Sequence, residues 1–229
     1  MMYTSVKRVC DFLIAAIILI LLLPISFPII IFLRLTGEGE ILYLQERIGY
    51  KNKKFYIWKF ATMLKDSPNM SGGLITLKKD PRLTPMGDFL RKTKINELPQ
   101  LVNVLCGDMS FVGPRPVMQK SFEQYPEDVK NVIYNVKPGI TGVGSIIFRN
   151  EEELITREKE KGNDPWEFYR TVIYPYKGEV EKWYQANQSF QTDLAILILT
   201  AWVVIFPNSN ALYKYFEGLP VNPLGMDKV

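Results

Sequence analysis

The sequence contains no histidine, and this absence restricts the chemistry that the chain can perform. Catalytic Ser-His and Cys-His pairs and imidazole metal sites are excluded because each of them requires that side chain. The two cysteines, Cys10 and Cys106, show no paired spacing, so we interpret them as reduced packing residues in a cytosolic environment. Catalytic groups must therefore be Asp, Glu, Lys, Tyr or hydroxyl side chains, and a metal would be Mg²⁺ or Mn²⁺ held by carboxylates and substrate phosphates.

Charged residues make up 23% of the 229 residues, whereas hydrophobic residues make up 47%. This balance is typical of a folded protein with a membrane-associated part and not of a disordered chain. The net charge of +4 weakly favours anionic partners, such as phosphates and acidic lipids.

The longest stretch without a charged residue covers residues 12–33 and is flanked by Lys7, Arg8 and Arg34. Its length of about 22 residues is close to the roughly 20 that a helix needs to cross a bilayer. It is too long for the apolar part of a cleaved signal peptide, and no small-residue cleavage site follows it. We therefore predict a membrane-embedded domain over residues 1–35 and a cytosolic, membrane-associated domain over residues 36–229.

Two prolines within this stretch, Pro24 and Pro28, decide which kind of membrane element is expected. Each removes one intrahelical hydrogen bond, and Ser26 between them offers only one hydroxyl to the carbonyl groups that are freed. The helix before Pro24 would rise about 18 Å, against a hydrocarbon core of roughly 30 Å. A helix that bends at the prolines and returns would keep all the flanking basic residues in the cytoplasm. We predict such a re-entrant helix, with a kinked single span as the alternative.

Two short strands are predicted after the membrane segment, at residues 41–47 and 55–60. The second strand places Lys59 among aromatic residues. A lysine in this setting either extends its ammonium group to water along the aromatic surface or contacts a phosphate.

A short helix is predicted to begin at Thr84 or Pro85, in the most basic part of the chain. The apolar face of this helix consists of Met86, Phe89 and Leu90. The basic residues of the region are Arg82, Arg91, Lys92 and Lys94. Runs of charge are usually solvated surfaces, so only part of this set is expected to bind a ligand.

One central segment reads KINELPQLVNVLCGDMSFVGPRP and combines features that suit phosphate chemistry. Asn96 and Glu97 precede an apolar helix pattern that Gly107 can end, and Asp108 lies just beyond it. The simplest interpretation of Asn96 is a helix N-cap. Two prolines enclose Arg115 and stiffen its backbone. A carboxylate at a helix start and a rigidly held guanidinium are both suited to phosphate transfer.

A second apolar stretch, residues 194–206, is too short to span a bilayer, at about 13 residues. Trp183, Tyr184 and Trp202 lie in or near it, as expected for a helix at the membrane surface, where aromatic rings concentrate. Packing of these rings in the protein core is the alternative. Residues 138–144 (PGITGVG) are predicted to form a glycine-rich turn, which is not a dinucleotide-binding motif.

Taken in order, the motifs of the chain resemble those of the bacterial monotopic phosphoglycosyl transferases, also called bacterial sugar transferases. The resemblance covers nearly the whole chain. Its motifs are Lys7-Arg8 with the proline-containing helix, QERIG at 45–49, Lys59-Phe60 with Thr62-Met63, Asp80-Pro81-Arg82, ELPQL at 97–101, GDMS at 107–110, GPRP at 113–116, PGITG at 138–142, Tyr184 and Asp193-Leu194. Each motif is short, but their order is highly specific.

The resemblance implies an α+β fold with a proline-broken re-entrant N-terminal membrane helix, interfacial amphipathic helices and a small cytosolic α/β catalytic core. The implied activity transfers a sugar 1-phosphate from a nucleotide sugar, expected to be a UDP-sugar, to polyprenyl phosphate and so initiates glycan or polysaccharide assembly. Mg²⁺ is the implied cofactor. The implied location is the bacterial inner membrane, with the catalytic part facing the cytoplasm. No nucleic acid is expected as a partner, and a homodimer is left open.

The resemblance also implies roles for individual residues. An adjacent Asp-Glu pair is the family's catalytic centre, in which the Asp attacks the nucleotide sugar to give a phosphosugar-enzyme intermediate. Glu97 matches the Glu and would bind the metal or assist proton movement. The residues expected to contact substrate phosphates are Lys59, Arg82, Arg91 and Arg115, with Asp108 as either a site residue or a turn cap. The membrane residues are Pro24, Ser26 and Pro28.

Two positions depart from the family pattern. Asn96 stands where the family has its nucleophilic Asp, and aspartyl phosphate chemistry requires a carboxylate. Three interpretations stay open: a natural branch in which Glu97 or another carboxylate serves, an engineered change from Asp to Asn, or an inactive relative that acts as a membrane scaffold or binds nucleotide sugars. Ala61 stands where an arginine is common, so one basic contact is expected to be absent.

Overall fold

The computed structural model describes residues 2–67 and 80–223 and combines helices with short strands. The α-helices are α1 (Met2–Leu35), α2 (Gly87–Lys92), α3 (Gln100–Cys106), α4 (Gln119–Phe122), α5 (Glu127–Lys130), α6 (Val143–Ile147), α7 (Glu151–Glu160), α8 (Pro165–Phe168), α9 (Tyr174–Ala186), α10 (Phe190–Ile205) and α11 (Ala211–Tyr215). The strands are β1 (Leu42–Ile48), β2 (Lys54–Phe60), β3 (Ser110–Val112) and β4 (Gly139–Thr141). Short 3₁₀ segments lie at Tyr50–Asn52 and Ile95–Glu97, and a π-helix lies at Tyr169–Ile173. The mixed fold class and the two strands predicted after the membrane segment are confirmed.

α1 is long and apolar enough to cross a membrane, judged by its length and composition. Its most apolar window has a mean hydropathy of 3.0, and only 11% of that window is buried. Pro24 and Pro28 lie inside the helix and do not end it. The predicted apolar N-terminal element is therefore confirmed, whereas its re-entry into the membrane stays a prediction.

Both cysteines are free thiols, as expected, but the prediction that they pack inside the protein is wrong. Cys10 belongs to the largely exposed α1. Cys106 is the last residue of α3 and is exposed where the helix ends at Gly107, which adopts a left-handed conformation with φ 89°. The predicted helix end at this glycine is confirmed, because glycine accepts positive φ without steric cost.

The chain forms two compact units whose segments alternate along the sequence. The first unit consists of the described parts of residues 1–7, 47–55 and 108–229. The second unit consists of the described parts of residues 8–46 and 56–107. The predicted boundary after residue 35 separates a membrane-embedded part from the rest and stays a prediction.

The core of the second unit joins the C-terminal part of α1 to β2 and α2. Ile29, Leu33, Phe60 and Leu90 are buried against one another. Phe89, predicted on the same face as Leu90, is instead 53% exposed. Neighbouring residues of a helix point about 100° apart, and in α2 Leu90 faces the core while Phe89 points away from it.

The first unit contains β3 and β4, which pair in parallel with Ser110 opposite Gly139. β4 lies within residues 138–144, so the prediction of a simple turn there is wrong. Gly139 is required in this strand because a Cβ atom at its position would overlap the backbone of Gly113. The pairing therefore places the chain that follows β3 directly against β4.

α10 carries an apolar surface that is left uncovered in the described part of the chain. Its apolar side chains that are more than half exposed are Leu194, Ile198, Val204 and Ile205. Trp202 is 44% exposed, in agreement with the predicted interfacial helix. Tyr184 is only 2% exposed, so for this ring the interfacial prediction is wrong and the alternative of core packing is confirmed. Trp183 is half-buried and packs edge-on against Phe216.

Asp193, near the start of α10, collects three donors from distant parts of the first unit. Its carboxylate accepts hydrogen bonds from the hydroxyls of Tyr3 (2.7 Å) and Tyr184 (2.8 Å) and forms an ion pair with Lys7. The start of α1 is thereby attached to α10. Because only 11% of the Asp193 side chain is exposed, these charge-assisted bonds contribute more to stability than surface pairs do.

Asp193→Asn should lower the free energy of unfolding by about 2–4 kcal/mol. A neutral amide loses the ion pair with Lys7 and offers one acceptor oxygen instead of two. Denaturant unfolding of the protein in lipid nanodiscs would measure the loss. Asp88→Asn is the matched control, since its ion pair with Lys92 is exposed and its removal should have a much smaller effect. Equal losses in both variants would contradict the assigned role.

Candidate active site

Asn96 and Glu97 lie in the 3₁₀ turn Ile95–Glu97, between α2 and α3. α3 takes Pro99 as its N-cap, so the prediction of Asn96 as the cap is wrong. The proline ring fixes φ near the helical value and starts the helix three residues further along. The turn instead directs Asn96 into the protein, where 7% of the residue is exposed, and leaves Glu97 half-buried.

Glu97 is brought next to Lys59, the lysine of β2 that was one of the predicted phosphate contacts. Oε1 of Glu97 lies 3.9 Å from Nζ of Lys59, and each side chain is 16% exposed. This separation is too long for a hydrogen bond and corresponds to an ion pair. Opposite charges attract more strongly at such a largely buried position than in bulk water. The pair therefore offers one negative and one positive group at a place with partial access to solvent.

Oδ1 of Asn96 is a buried acceptor with no hydrogen-bond partner among the described residues. Nearly all buried polar atoms in native structures are paired, so an unpaired one calls for an explanation, such as local strain, a bound water or ion, or a catalytic role. Asn96 and Glu97 are neighbours in the turn, so one short segment supplies both an amide oxygen and a carboxylate.

In the part of the chain that the structure describes, no group of three or more Asp, Glu, His or Cys side chains is arranged to hold a metal. Mg²⁺ does not need such a group, because it usually binds one or two carboxylates while substrate phosphates and water supply the other oxygens. Glu97, with the neutral oxygen of Asn96 beside it, fits this mode of binding.

Asn103 on α3 holds β2 in place beside this turn. Its Nδ2 donates to the carbonyl of Tyr56 (2.8 Å), and its Oδ1 accepts from the N–H of Trp58 (3.0 Å). A neighbouring strand would pair with these same two backbone groups, so the amide replaces a strand at that edge. Asn103 is 2% exposed. Because Lys59 directly follows Trp58, this contact fixes the position of Lys59 relative to α3.

Arg82 is engaged inside the protein. It is 3% exposed, and its guanidinium forms two bonds with the carboxylate of Asp80, of 2.6 and 2.9 Å. A further bond of 3.3 Å reaches the carbonyl of Ser67. A contact with substrate would compete with this bidentate ion pair. Arg91, on α2, is half-buried.

Arg115 is exposed and projects from residues 113–117, called the Arg115 loop below. Both ends of this loop are tied to other segments of the first unit. The N–H of Gly113 donates to the carbonyl of Thr141, the last residue of β4 (3.0 Å). The carbonyl of Val117 accepts from the N–H of Ile48, the last residue of β1 (2.8 Å). The loop is therefore anchored to a strand at each end.

Two buried side chains hold the backbone of Arg115 itself. Its carbonyl accepts from the hydroxyl of Tyr134 (2.8 Å), which also accepts from the N–H of Val117 (3.1 Å). Its N–H donates to the carboxyl group of Glu181 on α9. Tyr134 is 1% exposed and Glu181 is 4% exposed. Burial raises the pKa of Glu181 to about 7, although Lys177 and the N–H of Arg115 both oppose the rise.

The predicted site residues are distributed over both units. The second unit contains Lys59, Arg82, Arg91, Asn96 and Glu97, and within it Lys59 and Glu97 contact each other. The first unit contains Asp108 and Arg115, both exposed. Pro24, Ser26 and Pro28 lie in α1, where the prolines are exposed and the serine is half-buried.

Comparison with models of protein families identifies the family of the chain. The model of the bacterial sugar transferases matches residues 2–207. The chain belongs to the bacterial sugar transferase family. The match includes α1, the turn with Asn96 and Glu97, the Arg115 loop and α10, so it covers every predicted site residue.

Curated relatives of the chain agree with that assignment. It is 35% identical over 213 residues to the UDP-galactose-lipid carrier transferase of Erwinia amylovora, which covers 87% of this chain and 40% of the relative. It is 35% identical over 203 residues to the undecaprenyl-phosphate galactose phosphotransferase of Salmonella typhimurium, covering 81% and 38%. A putative undecaprenyl-phosphate N-acetylgalactosaminyl 1-phosphate transferase of Bacillus subtilis is 41% identical over 127 residues, covering 56% and 70%. The sugar transferase thus spans about two fifths of the length of the first two relatives.

Three residues that contact the backbone beside Lys59 and Arg115 were not predicted from the sequence: Asn103, Tyr134 and Glu181. Asn103 gave one usable signal, because it is a polar residue within the apolar pattern of α3. Tyr134 and Glu181 gave none, since each lies among residues of mixed polarity and finds its partner far along the chain.

Asn103→Asp should destabilise the sugar transferase by about 1–3 kcal/mol. The carboxylate still accepts from the N–H of Trp58, but it cannot donate to the carbonyl of Tyr56, and two acceptors would then face each other in the core. Thermal unfolding by circular dichroism would measure the change. Asn131→Asp, at an exposed asparagine, controls for the added charge and should leave the midpoint nearly unchanged. A midpoint for Asn103→Asp that matches this control would show that Asn103 does not hold β2.

Proposed function

We propose that this sugar transferase moves a sugar 1-phosphate from a UDP-sugar to polyprenyl phosphate, as the first step in assembling a glycan or polysaccharide. The observation that carries the proposal is the family match over residues 2–207, within which Lys59 and Glu97 form a charged pair at the implied catalytic position. The relatives support the substrates through their names, which mention UDP-galactose and undecaprenyl phosphate.

The proposed reaction is a displacement at the phosphorus atom that bears the sugar. The bond from this phosphorus to the bridging oxygen breaks, and UMP leaves with the electron pair. An oxygen of polyprenyl phosphate forms the new bond, either directly or after a protein carboxylate has bonded to the phosphorus and is displaced in turn. The products are polyprenyl diphosphate sugar and UMP, so no oxidant or further reactant is needed.

The positively charged residues would hold phosphate oxygens during this displacement. The ammonium of Lys59 is a compact charge suited to the oxygens on which negative charge accumulates. Arg115 can hold a phosphate through two parallel hydrogen bonds, and its stiff loop lowers the entropy that is lost on binding. Arg91 is proposed as a further contact, and Arg82 only if it exchanges its bonds with Asp80.

Mg²⁺ is the proposed cofactor. Glu97 would hold it, and the unpaired oxygen of Asn96 is available as a second ligand. When bound, the ion neutralises charge on the diphosphate and so favours departure of UMP.

Asn96 favours a second candidate function, that of a nucleotide-sugar-binding relative or membrane scaffold without turnover. An amide cannot form the covalent phosphosugar intermediate that the family's Asp forms. Turnover in the unaltered chain therefore depends on Glu97 or on direct attack by the lipid phosphate.

The contacts of α1 within the second unit support the proposed re-entrant helix. Near its start, Arg8 donates to the carbonyls of Val104 and Leu105, each at 2.6 Å. Near its end, Leu33 is buried in the core cluster of the same unit. A straight helix would hold Arg8 and Leu33 about 38 Å apart. A bend at the intervening prolines lets both ends meet one small unit.

The location that we propose is the inner membrane, with the catalytic part facing the cytoplasm. The middle of α1 exposes apolar residues such as Ile20, Leu21 and Phe27, each about two thirds exposed. α10 adds a second apolar surface. Both surfaces would be covered by lipid, and a long-chain lipid phosphate then meets the active site without leaving the bilayer.

The unaltered chain should form labelled polyprenyl diphosphate sugar from a UDP-sugar and release one UMP for each product. Asn96→Asp should raise the rate, by as much as about 10⁴-fold, because a carboxylate restores the covalent route. A radiolabel assay over a panel of UDP-sugars, with UMP release measured in parallel, tests both statements. Asn131→Asp is the matched control for the change from amide to carboxylate.

Three outcomes of this assay separate the candidates. Product from the unaltered chain supports the transferase and removes the scaffold. Product only after Asn96→Asp supports the second candidate for the unaltered chain. No product from either form, with every UDP-sugar tried, would refute the transferase proposal.

The re-entrant helix predicts that both ends of α1 lie on the cytoplasmic side. In a background that carries Cys10→Ser and Cys106→Ser, Met2→Cys and Glu40→Cys should each resist a membrane-impermeant maleimide in intact spheroplasts and react after lysis. Replacing Pro24 and Pro28 by Ala should straighten the helix and expose one of the two ends outside. Labelling of one end in the proline-containing protein would instead establish a single span.

A further inference from the structure

We propose that Glu181 is a positioning residue for Arg115: its buried carboxyl group holds the backbone N–H of Arg115 and thereby directs the exposed guanidinium towards the phosphate that it binds. The inference rests on the proposed function, because that function assigns a phosphate to Arg115.

The sequence of the Arg115 loop leaves one backbone donor in its middle. Pro114 and Pro116 have no N–H, so Arg115 carries the single amide donor between Gly113 and Val117. Glu181 accepts from this donor. The contact is therefore the available way to fix the centre of the loop through an N–H group.

The carbonyl side of the same segment is held as well. The hydroxyl of Tyr134 donates to the carbonyl of Arg115 at 2.8 Å, and Nη1 of Arg47 donates to the carbonyl of Pro116 at 3.4 Å. With both sides of its peptide units bonded, the backbone of the loop can move little.

The packing around Glu181 is adapted to its carboxyl group. A Cβ atom at Gly144 of α6 would overlap Oε1 of Glu181, so a glycine stands where the carboxyl group passes. Oε2 has no hydrogen-bond partner among the described residues, although it is buried. A buried carboxyl group with one unpaired oxygen lowers the stability of the folded protein. At a position with a purely structural role, an apolar side chain would be more stable.

The charged and titratable groups around Glu181 come from several elements. They are Lys177 on α9, Tyr125, Tyr134 and Arg115. Lys177 already forms an ion pair of 2.6 Å with Glu151 of α7, so it does not neutralise Glu181 alone. Lys177 and, to a smaller extent, the N–H of Arg115 both stabilise the ionised carboxyl group.

Hydrogen exchange tests the contact without any assay of activity. In the full chain in nanodiscs, Glu181→Ala should speed exchange of the Arg115 amide by at least about tenfold, since the N–H loses its acceptor. Glu181→Gln keeps an acceptor oxygen and should restore protection. Tyr176→Phe is the matched control, because Tyr176 is buried on the same helix but bonds to Tyr213 and Pro220.

Binding of UDP, measured by calorimetry, tests the consequence for the phosphate. Glu181→Ala should weaken binding by about tenfold to a hundredfold, as expected when a binding group is displaced by about 1 Å, and Glu181→Gln should largely restore it. In a chain that already carries Arg115→Ala, Glu181→Ala should cause no further loss, because it acts through that arginine.

The outcomes are distinct. Unchanged exchange in Glu181→Ala overturns the contact, and faster exchange with unchanged UDP affinity overturns its role in positioning. Losses that add in the double variant also overturn it. If the unaltered chain binds no UDP, both the proposed function and the positioning role of Glu181 are refuted. The exchange result still decides whether Glu181 holds the Arg115 loop.

Discussion

The bonds between the amide of Asn103 and the edge of β2 fix the strand that carries Lys59 beside the turn with Asn96 and Glu97. β2 pairs with β1 on one side, and its other edge needs partners for a carbonyl and an N–H. An amide carries its donor and its acceptor on separate atoms, so Asn103 can satisfy both groups at the same time. The same residue belongs to α3, which the turn with Asn96 and Glu97 precedes. One side chain therefore joins the strand that carries Lys59 to the helix that follows Glu97.

The Arg115 loop follows the same physical rule in the other unit. Its two prolines remove donors, and Glu181 and Tyr134 satisfy the backbone groups that remain around Arg115. In both places buried polar side chains complete the hydrogen bonding of irregular backbone, because leaving such groups unpaired is costly. In each unit the ionic side chains are therefore attached to backbone whose hydrogen bonds are already made.

Asn96 differs from these residues in leaving its oxygen unpaired. A buried acceptor without a partner is unfavourable for stability, whereas beside Glu97 it is suited to an ion or a substrate. Family membership and the pair of Lys59 with Glu97 support the proposed phosphate transfer, whereas the amide at the nucleophile position favours the second candidate, a relative without turnover. For the membrane part, composition establishes an apolar helix, whereas the bend of α1 stays a proposal that the contacts of Arg8 and Leu33 support.

The sequence by itself determined the class of chemistry, the family and several elements. The absence of histidine limited the catalytic groups, the order of short motifs indicated the family, and local patterns located α1, β1, β2, α10 and the helix end at Gly107. Only the tertiary structure decided that Asn96 is buried and not a cap, that Phe89 is exposed, that residues 139–141 form a strand, and that Asn103 and Tyr134 bond to the backbone of β2 and of Arg115. The physical reason is that periodicity and turn chemistry act between near neighbours, whereas the partners of Asn103 lie 45 and 47 residues away. Which buried donor meets which acceptor is settled when distant segments pack together.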